Sequence, residues 1–371
     1  MSVMSRPVAA PEQTPEGTVS VLASVTQSLR RFLDGHGTDL NTIHPDLQLL
    51  ADAARSAVLD GGKRLRPTFA FWGWRCVQPA GAAGEDALLS AAAGLELLHA
   101  CALVHDDVMD ASDTRRGRPA AHRRFGQVHL DAGWPGSAAA FGTSGAILLG
   151  DLLLSWAEEL FTASISALPA DRVAAAQREF GLMRTEVVAG QFLDVLAQTR
   201  GAFDPTEALR VIEFKTSKYT VERPLLLGAA AAGASGAVTV ALSDYGRNLG
   251  EAFQLRDDLL GVFGDPSETG KPAGDDLREG KRTLLVALAA EHADNGQRSV
   301  LGAGIGNPDL TVAGVADLRR VLSATGAREA VERRIADKAR AAEQALGTAP
   351  LRPEARQALL ELAHAAAHRT F

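Results

Sequence analysis

The chain has 371 residues, 46 % hydrophobic and 22 % charged, proportions that allow a large soluble core. A net charge of −7 argues against a nucleic-acid binder, which carries a basic surplus or stripe. Two cysteines, Cys76 and Cys101, exclude a disulfide framework and lack zinc-ligand spacing, so a reducing cytoplasm is the simplest home.

Residues 1–20 are rich in Pro, Ala, Ser and Glu and lack a basic stretch followed by an apolar one; a disordered tail is expected, not a signal peptide. Beyond it the chain reads as helix after helix. Ala and Leu dominate, aromatic residues are only 5 %, and β-branched alternation is nearly absent. The pattern predicts helices over about 19–34, 46–60, 66–76, 85–110, 145–164, 170–198, 207–217, 221–231, 238–262, 282–292, 315–322, 327–346 and 353–368. Gly- and Pro-rich breaks fall near 61–67, 131–145, 199–205, 264–280 and 302–309. Length alone would suggest two or three domains. Nothing marks a second one, and no repeat or sustained heptad stands out, so residues 21–371 are expected to form a single all-α domain. The uncharged run from Leu225 to Ser243 is mostly Ala and Gly. It predicts a closely packed buried helix broken near Gly233–Gly236 and no membrane span.

The predicted helix over 85–110 ends in Asp106, Asp107 and Asp110. Residues four apart share a helical face, so Asp106 and Asp110 point the same way. Like charges at that spacing, at the helix end that disfavours acids, oppose helix formation unless a cation is present. Hard oxygen ligands completed by substrate phosphates suit Mg²⁺; the bland alternative is a solvated acidic helix end. Arg115 and Arg116 follow, suited to bidentate phosphate contacts or to a salt-bridged surface turn.

About 150 residues later the pattern returns as Phe253-Gln254-Leu255-Arg256-Asp257-Asp258, again ending an apolar helix, with Lys271 and Lys281 in the loop beyond. Upstream, Gly61-Gly62-Lys63-Arg64-Leu65-Arg66-Pro67 is a glycine-led basic turn opening a helix, a ready anion site. Two acidic edges and two or more basic ones suggest a pocket for two diphosphates.

On these motifs the chain resembles the trans-isoprenyl diphosphate synthases of the polyprenyl synthetase family, from about residue 21 to the C-terminus. Gly62-Lys63-x-x-Arg66-Pro67 is similar to the turn that holds isopentenyl diphosphate, and His99 to its histidine contact with the same substrate. Asp106-Asp107-Val108-Met109-Asp110 resembles the first aspartate motif, and Phe253-Gln254-x-x-Asp257-Asp258 the second. Lys215-Thr216 resembles a Lys-Thr pair on a central helix, and Gln191 with Asp194 a Gly-Gln-x-x-Asp motif.

The resemblance implies an isoprenoid-synthase-type fold of about 12–14 helices around a central cavity. It implies condensation of isopentenyl diphosphate with allylic diphosphates (dimethylallyl, geranyl, farnesyl), three Mg²⁺ ions and a homodimer. Metal ligands would come from Asp106, Asp107, Asp110, Asp257 and Asp258. Asp106, Asp110, Arg115, Lys215 and Asp257 would carry the ionisation. Lys63, Arg66, His99, Arg115, Arg116, Lys215, Thr216, Gln254, Lys271 and Lys281 would bind substrate. The released diphosphate would take the final proton. One departure stands out: where the second motif usually has another Asp, this chain has Gly261, with Asp265 a candidate substitute.

The growing tail is expected to run from Asp106 back along its own helix. At about 100° per residue, Ala102 lies one turn below Asp106, Cys101 well off that line and Leu95 nearly back on it. Ala102 and Cys101 are small, so Leu95 and Leu98 would form a deeper floor. Elongation to about twenty carbons is expected, with a fifteen-carbon product as the alternative. A class I terpene cyclase would lack the Asp257–Asp258 pair and have a more aromatic cavity; a non-catalytic regulatory subunit would lose one motif or the basic turn. His122 and His129 are read as polar-loop residues, Trp72, Trp74, Trp134 and Trp156 as packing residues, and Arg64 as solvent-facing.

Overall fold

The structure, a computed structural model, describes residues 18–264, 274–347 and 349–367. Residues 1–17 of the expected tail, together with Asp265 and Lys271, lie outside them. Helix α1 (Thr18–Ile43) buries Val21, Val25, Leu29 and Leu33, a stripe at four-residue spacing, and continues well past the predicted end near 34. A short 3₁₀ turn (Pro45–Leu47), α2 (Gln48–Leu59) and α3 (Leu65–Arg75) lead to α4 (Glu85–Met109). From Ala91 to Leu98, α4 is buried without a break. A helix apolar on every side must be enclosed by others, and α6 (Ala138–Ile165) packs along its length.

Between them lies α5 (Ala121–Asp131), which the apolar pattern does not predict. It buries only Phe125 and His129, too few points for a visible periodicity. His122 and His129 are therefore helical, not loop residues, and His129 packs against Trp134 and Phe141. Trp72, Trp74 and Trp156 are buried in the core, while Trp134 stays half-exposed.

Helix α7 (Ala170–Arg200) meets α6 through stacked Phe161 and Phe180 rings, 4.2 Å between centroids. After α8 (Pro205–Val211), the predicted break near 218–220 is absent. Ile212–Glu222 forms a π-helical stretch that runs directly into α9 (Arg223–Ala232). Pro224, which has no N–H to donate, sits in the first turn of α9 at that junction.

This π stretch is clasped from both sides by glycines. A Cβ on Gly190 of α7 would collide with the Lys215 amide nitrogen. One on Gly250 of α10 (Gly236–Phe263) would collide with the Ser217 Cα. The close approach fixes Lys215 and Thr216 against their neighbours.

Helix α9 is buried over most of its length, ends at Gly233, and the chain restarts behind Ser235, whose hydroxyl caps α10. The Leu225–Ser243 run breaks where expected, but only its first half, α9, is interior: Ala237, Thr239 and Val240 at the start of α10 are exposed, so the expected burial fails there. By length and composition α4 and α6 could each cross a membrane; α4 is a mostly enclosed core helix, whereas much of α6 is open. The chain closes with α11 (Asp275–Arg278), α12 (Leu284–His292), α13 (Asn295–Gly304), α14 (Val312–Ala324), α15 (Ala327–Ala345) and α16 (Pro353–Ala367).

Two apolar clusters form the interior, and α10 belongs to both. Leu242, Tyr245 and Leu249 join the larger, while Ala252, Leu255, Leu259 and Val262 join the smaller C-terminal one. The buried Tyr245 hydroxyl donates to the Leu359 carbonyl, 2.7 Å away, securing α16. The acidic ends of α4 and α10 are thereby set on well-packed helices.

Candidate active site

Asp106 and Asp110 share one face at the end of α4. Asp106 Oδ1 accepts from Gln191 Nε2 at 2.8 Å and from Lys215 Nζ at 3.2 Å. Lys215 also reaches Asp194 Oδ2 at 2.6 Å, so it bridges α4 and α7. Burial pushes the Asp106 carboxyl up, but Lys215, Arg115 and Lys281 outweigh it and hold its pKa below the usual range. Asp110 has less help. Burial and then repulsion from Asp106 raise it to about 6.

Asp107 points elsewhere. It is buried and receives the Arg115 guanidinium, with Nε at 2.9 Å. That pairing turns it away from the Asp106–Asp110 face on which a metal would sit.

Arg115 stands on a two-residue antiparallel hairpin, β1 (Thr114–Arg115) with β2 (Arg118–Pro119), turning at Arg116 and Gly117 with φ of 54° and 72°. Two positive φ values at the centre of a tight turn are the geometry that matches strand twist. The turn sends the arginines apart. Arg115 goes to Asp107, while Arg116 donates to the carbonyls of Asp60 and Gly61 at 3.2 and 3.1 Å. The basic turn and the first aspartate cluster are joined by this hairpin.

In the basic turn, Lys63 is exposed but Arg64 is not. With φ of 52°, Arg64 runs inward, donating to Glu96 Oε2 at 2.7 Å and to the Val58 carbonyl at 2.6 Å. The solvent-facing expectation for Arg64 is wrong: an acid on buried α4 offers a better partner than water, and the pair ties the turn to the core. Arg66 is also buried, donating to Thr220 Oγ1 at 2.8 Å with its guanidinium 4.1 Å above the Tyr219 ring. Behind it lies His99. Loss of hydration, then the charges of Arg66, Arg116, Arg115 and Arg64, push its pKa well down and keep it neutral. Its Nδ1 is buried with no hydrogen-bond partner among the described residues.

At the end of α10, Asp258 is buried. That burial, with the nearby charges of Asp276 and Asp257, raises it to about 7, although Gln254 Nε2 donates to it at 2.7 Å. Gln254 Oε1 in turn accepts from the Thr216 hydroxyl at 2.7 Å. Thr216, Gln254 and Asp258 thus form a continuous chain between the π stretch and α10. Asp257 is part-exposed. Lys281 pairs with Asp276 and Glu279, each at 2.8 Å, and these acids raise its pKa against the effect of burial. Its charge also acts on Asp106, Asp110 and Asp258, so Lys281 lies within electrostatic reach of both aspartate clusters. Among the described residues, no three His, Cys, Asp or Glu side chains converge as a ready-made metal cage.

On α4 below the acids, Leu95, Leu98 and Cys101 are buried and Ala102 is part-buried. Cys101 Sγ lies 3.8 Å from His105 Nδ1, and it feels Asp151 of α6. It is turned towards α6, off the Asp106 line. Gln191 and Asp194, one turn apart on α7, join the site more directly than their motif suggested. Thr220 and Tyr219 also enter it, as partners of Arg66, with no signal in the spacing to announce them.

A profile of the polyprenyl synthetase family matches residues 47–322. The chain belongs to that family. It is a trans-prenyl diphosphate synthase, and family membership implies isopentenyl and allylic diphosphates as substrates. Its fold is that of the isoprenoid synthases. The crystal structure of a geranylgeranyl pyrophosphate synthase from Corynebacterium glutamicum, complexed with isoprenyl diphosphate and magnesium, is 40 % identical with a TM-score of 0.90; the match covers 94 % of this chain and 99 % of that one. The geranylfarnesyl diphosphate synthase of Aeropyrum pernix is 33 % identical over 73 % of this chain and 78 % of its own. The octaprenyl diphosphate synthase of Escherichia coli is also 33 % identical, over 89 % and 93 %. Relatives of such different product lengths leave chain length to this synthase's own residues.

Proposed function

We propose that this synthase extends dimethylallyl, geranyl and farnesyl diphosphates with isopentenyl diphosphate, using Mg²⁺, and that geranylgeranyl diphosphate is its main product. The observation that carries the metal-dependent reading is the Asp106–Asp110 pair on one face of α4, with Asp110 raised to about 6 by burial and by its neighbour. Hard oxygens whose repulsion Lys215 only partly offsets, able to share an ion with a diphosphate's own oxygens, fit Mg²⁺. Asp106 and Asp110 would hold two ions and Asp257 a third. Asp107 and Asp258 are assigned instead to holding Arg115 and Gln254.

Bound Mg²⁺ supplies Lewis-acid charge to the departing diphosphate. The chain's own cations act on the same oxygens: Lys215, Lys281 and Arg115 offer fixed positive charge where the leaving group gains negative charge. Lys63, Arg66 and Arg116 anchor isopentenyl diphosphate, and neutral His99 offers it a ring nitrogen. Holding the two substrates together makes bond formation effectively unimolecular. The oxygens of Thr216 and Gln254 face the allylic cation's path. Released diphosphate, close to the new cation, takes the final proton.

Ala102, one turn below Asp106, leaves room for the tail, and Leu98 and Leu95 close it off. Cys101, turned to α6, is left out of that floor. A homodimer is proposed on the outer faces of α6 and α7, where Ile147, Leu148, Val188 and Phe192 are exposed. A cytoplasmic setting accords with two buried free cysteines. Chromatography of products made from radiolabelled isopentenyl diphosphate and each primer tests the reading. A dominant C20 product is expected; a dominant C15 or a long-chain product would refute the assignment.

A further inference from the structure

Three acids of α7 meet three bases on the helix beside it. Glu179, Glu186, Gly190 and Asp194 recur at seven- and four-residue spacing and so face the same way. Against them run Arg223, Lys218 and Lys215, in the opposite order. Arg223 Nη1 donates to Glu179 Oε2 at 2.8 Å, and its Nε and Nη2 reach the two oxygens of Glu186 at 2.7 Å each. Lys218 Nζ donates to Glu186 Oε1 at 3.2 Å, and Lys215 Nζ to Asp194 Oδ2 at 2.6 Å. The side chains of Glu179, Glu186, Lys218 and Arg223 are only 12 to 18 % exposed, so these are not loose surface pairs. Glu186 thus holds the chain at two points beyond Lys215: at Lys218 within the π stretch, and at Arg223 where the stretch passes into α9.

We propose that Glu186 is a positioning residue for Lys215: it holds the π stretch in the register that sets the Lys215 ammonium between Asp106 and Asp194. This rests on the reading of Lys215 as a cation that meets the leaving diphosphate. A π stretch bonds to the fifth residue along, an α-helix to the fourth, so it is a rare form that its surroundings must hold. A slip of one residue turns a helical face by about 100°. That would carry Lys215 Nζ off Asp106 Oδ1, now 3.2 Å away, and take Lys218 and Arg223 off Glu186 as well. Gly190 admits the Lys215 backbone by shape but carries no charge to choose a register. Glu186 supplies that choice, because its two-oxygen pairing with the Arg223 fork fits one arrangement. Burial pushes the Glu186 carboxyl up, but Arg223 and Lys218 outweigh it and hold it below the usual range, so the acid is ionised at neutral pH. Glu186 acts on the reaction through these partners and not by touching substrate.

The test is a double-mutant cycle on the full-length chain. It reads kcat for one condensation of geranyl with isopentenyl diphosphate at saturating Mg²⁺ and substrates. Glu186→Gln keeps the shape of the side chain and removes its charge. It is expected to lower kcat on the order of ten-fold in the parent, and less than about two-fold in a Lys215→Met background, where no ammonium is left to misplace. The fall in melting temperature is expected to be the same in both backgrounds. A role in stability alone would leave the kcat of the folded enzyme untouched, or scale it equally in both backgrounds, and either result overturns the proposal. Circular dichroism checks folding. If Glu186→Gln does not fold, Lys218→Met, which leaves Arg223 paired with Glu186, runs the same cycle with the same expected pattern. Lys215→Met alone separates the two readings. When it lowers kcat and Glu186→Gln does not, only the assignment of Glu186 is wrong; when it leaves kcat unchanged, the reading of Lys215 fails and takes this assignment with it.

Discussion

Lys215 Nζ lies 3.2 Å from Asp106 Oδ1, a contact across 109 residues of sequence that joins the π stretch to the acidic end of α4. Lys215 offsets the negative charge of the acidic face and is positioned to meet the leaving diphosphate. Lys215→Met is expected to lower kcat about 10²-fold, the scale for losing one preorganised charge contact. Steady-state assays at saturating Mg²⁺ and substrates, with circular dichroism as a folding control, check this.

Arg64 and Glu96 form an ion pair with side chains only 8 % and 2 % exposed. Removing one partner strands a buried charge. Glu96→Ala is expected to cost about 3–5 kcal/mol by urea denaturation, and Arg64→Met with Glu96→Leu together less than the sum of the singles.

His99 is held neutral in the folded state, mainly by burial and then by the surrounding arginines. Its folded pKa is below the unfolded value of about 6.5, so on acidification the unfolded chain takes up a proton that the folded one refuses. Stability attributable to His99 is therefore full above about 6.5 and is lost as pH falls from there towards the folded pKa, by up to about 1.4 kcal/mol per unit. Melting curves of the parent and His99→Gln should converge as pH drops from 7 to 5. A gap independent of pH would count against a neutral His99.

Enlarging Ala102 should shorten the product. Ala102→Phe is expected to stop at C15 while sparing the first condensation, whereas Cys101→Phe, directed at α6, should leave product length unchanged or impair folding. Product chromatography with each primer distinguishes these outcomes.

The helical architecture and the two aspartate clusters were legible because each lies in an apolar segment with periodic spacing. The Ala and Gly content of Leu225–Ser243 correctly marked a helix broken at Gly233, but small residues pack or face solvent equally well, and the start of α10 is exposed. Helix α5 was not legible, since only Phe125 and His129 mark its buried side. The gap expected between the helices ending near 217 and starting near 221 is absent, because the π stretch carries through it. Within the site, spacing placed Asp106 and Asp110 on one face correctly but could not show that Asp107 turns to Arg115. Arg64 sits among basic residues in a turn, and its partner Glu96 lies 32 residues away.

The central claim is that the two aspartate clusters together ionise the allylic diphosphate. Its most direct test is turnover of Asp106→Ala and Asp257→Ala, with geranyl and isopentenyl diphosphates at saturating Mg²⁺. The account predicts losses of orders of magnitude in both variants with unchanged circular dichroism. Near-normal turnover in both, with the fold intact, would contradict it.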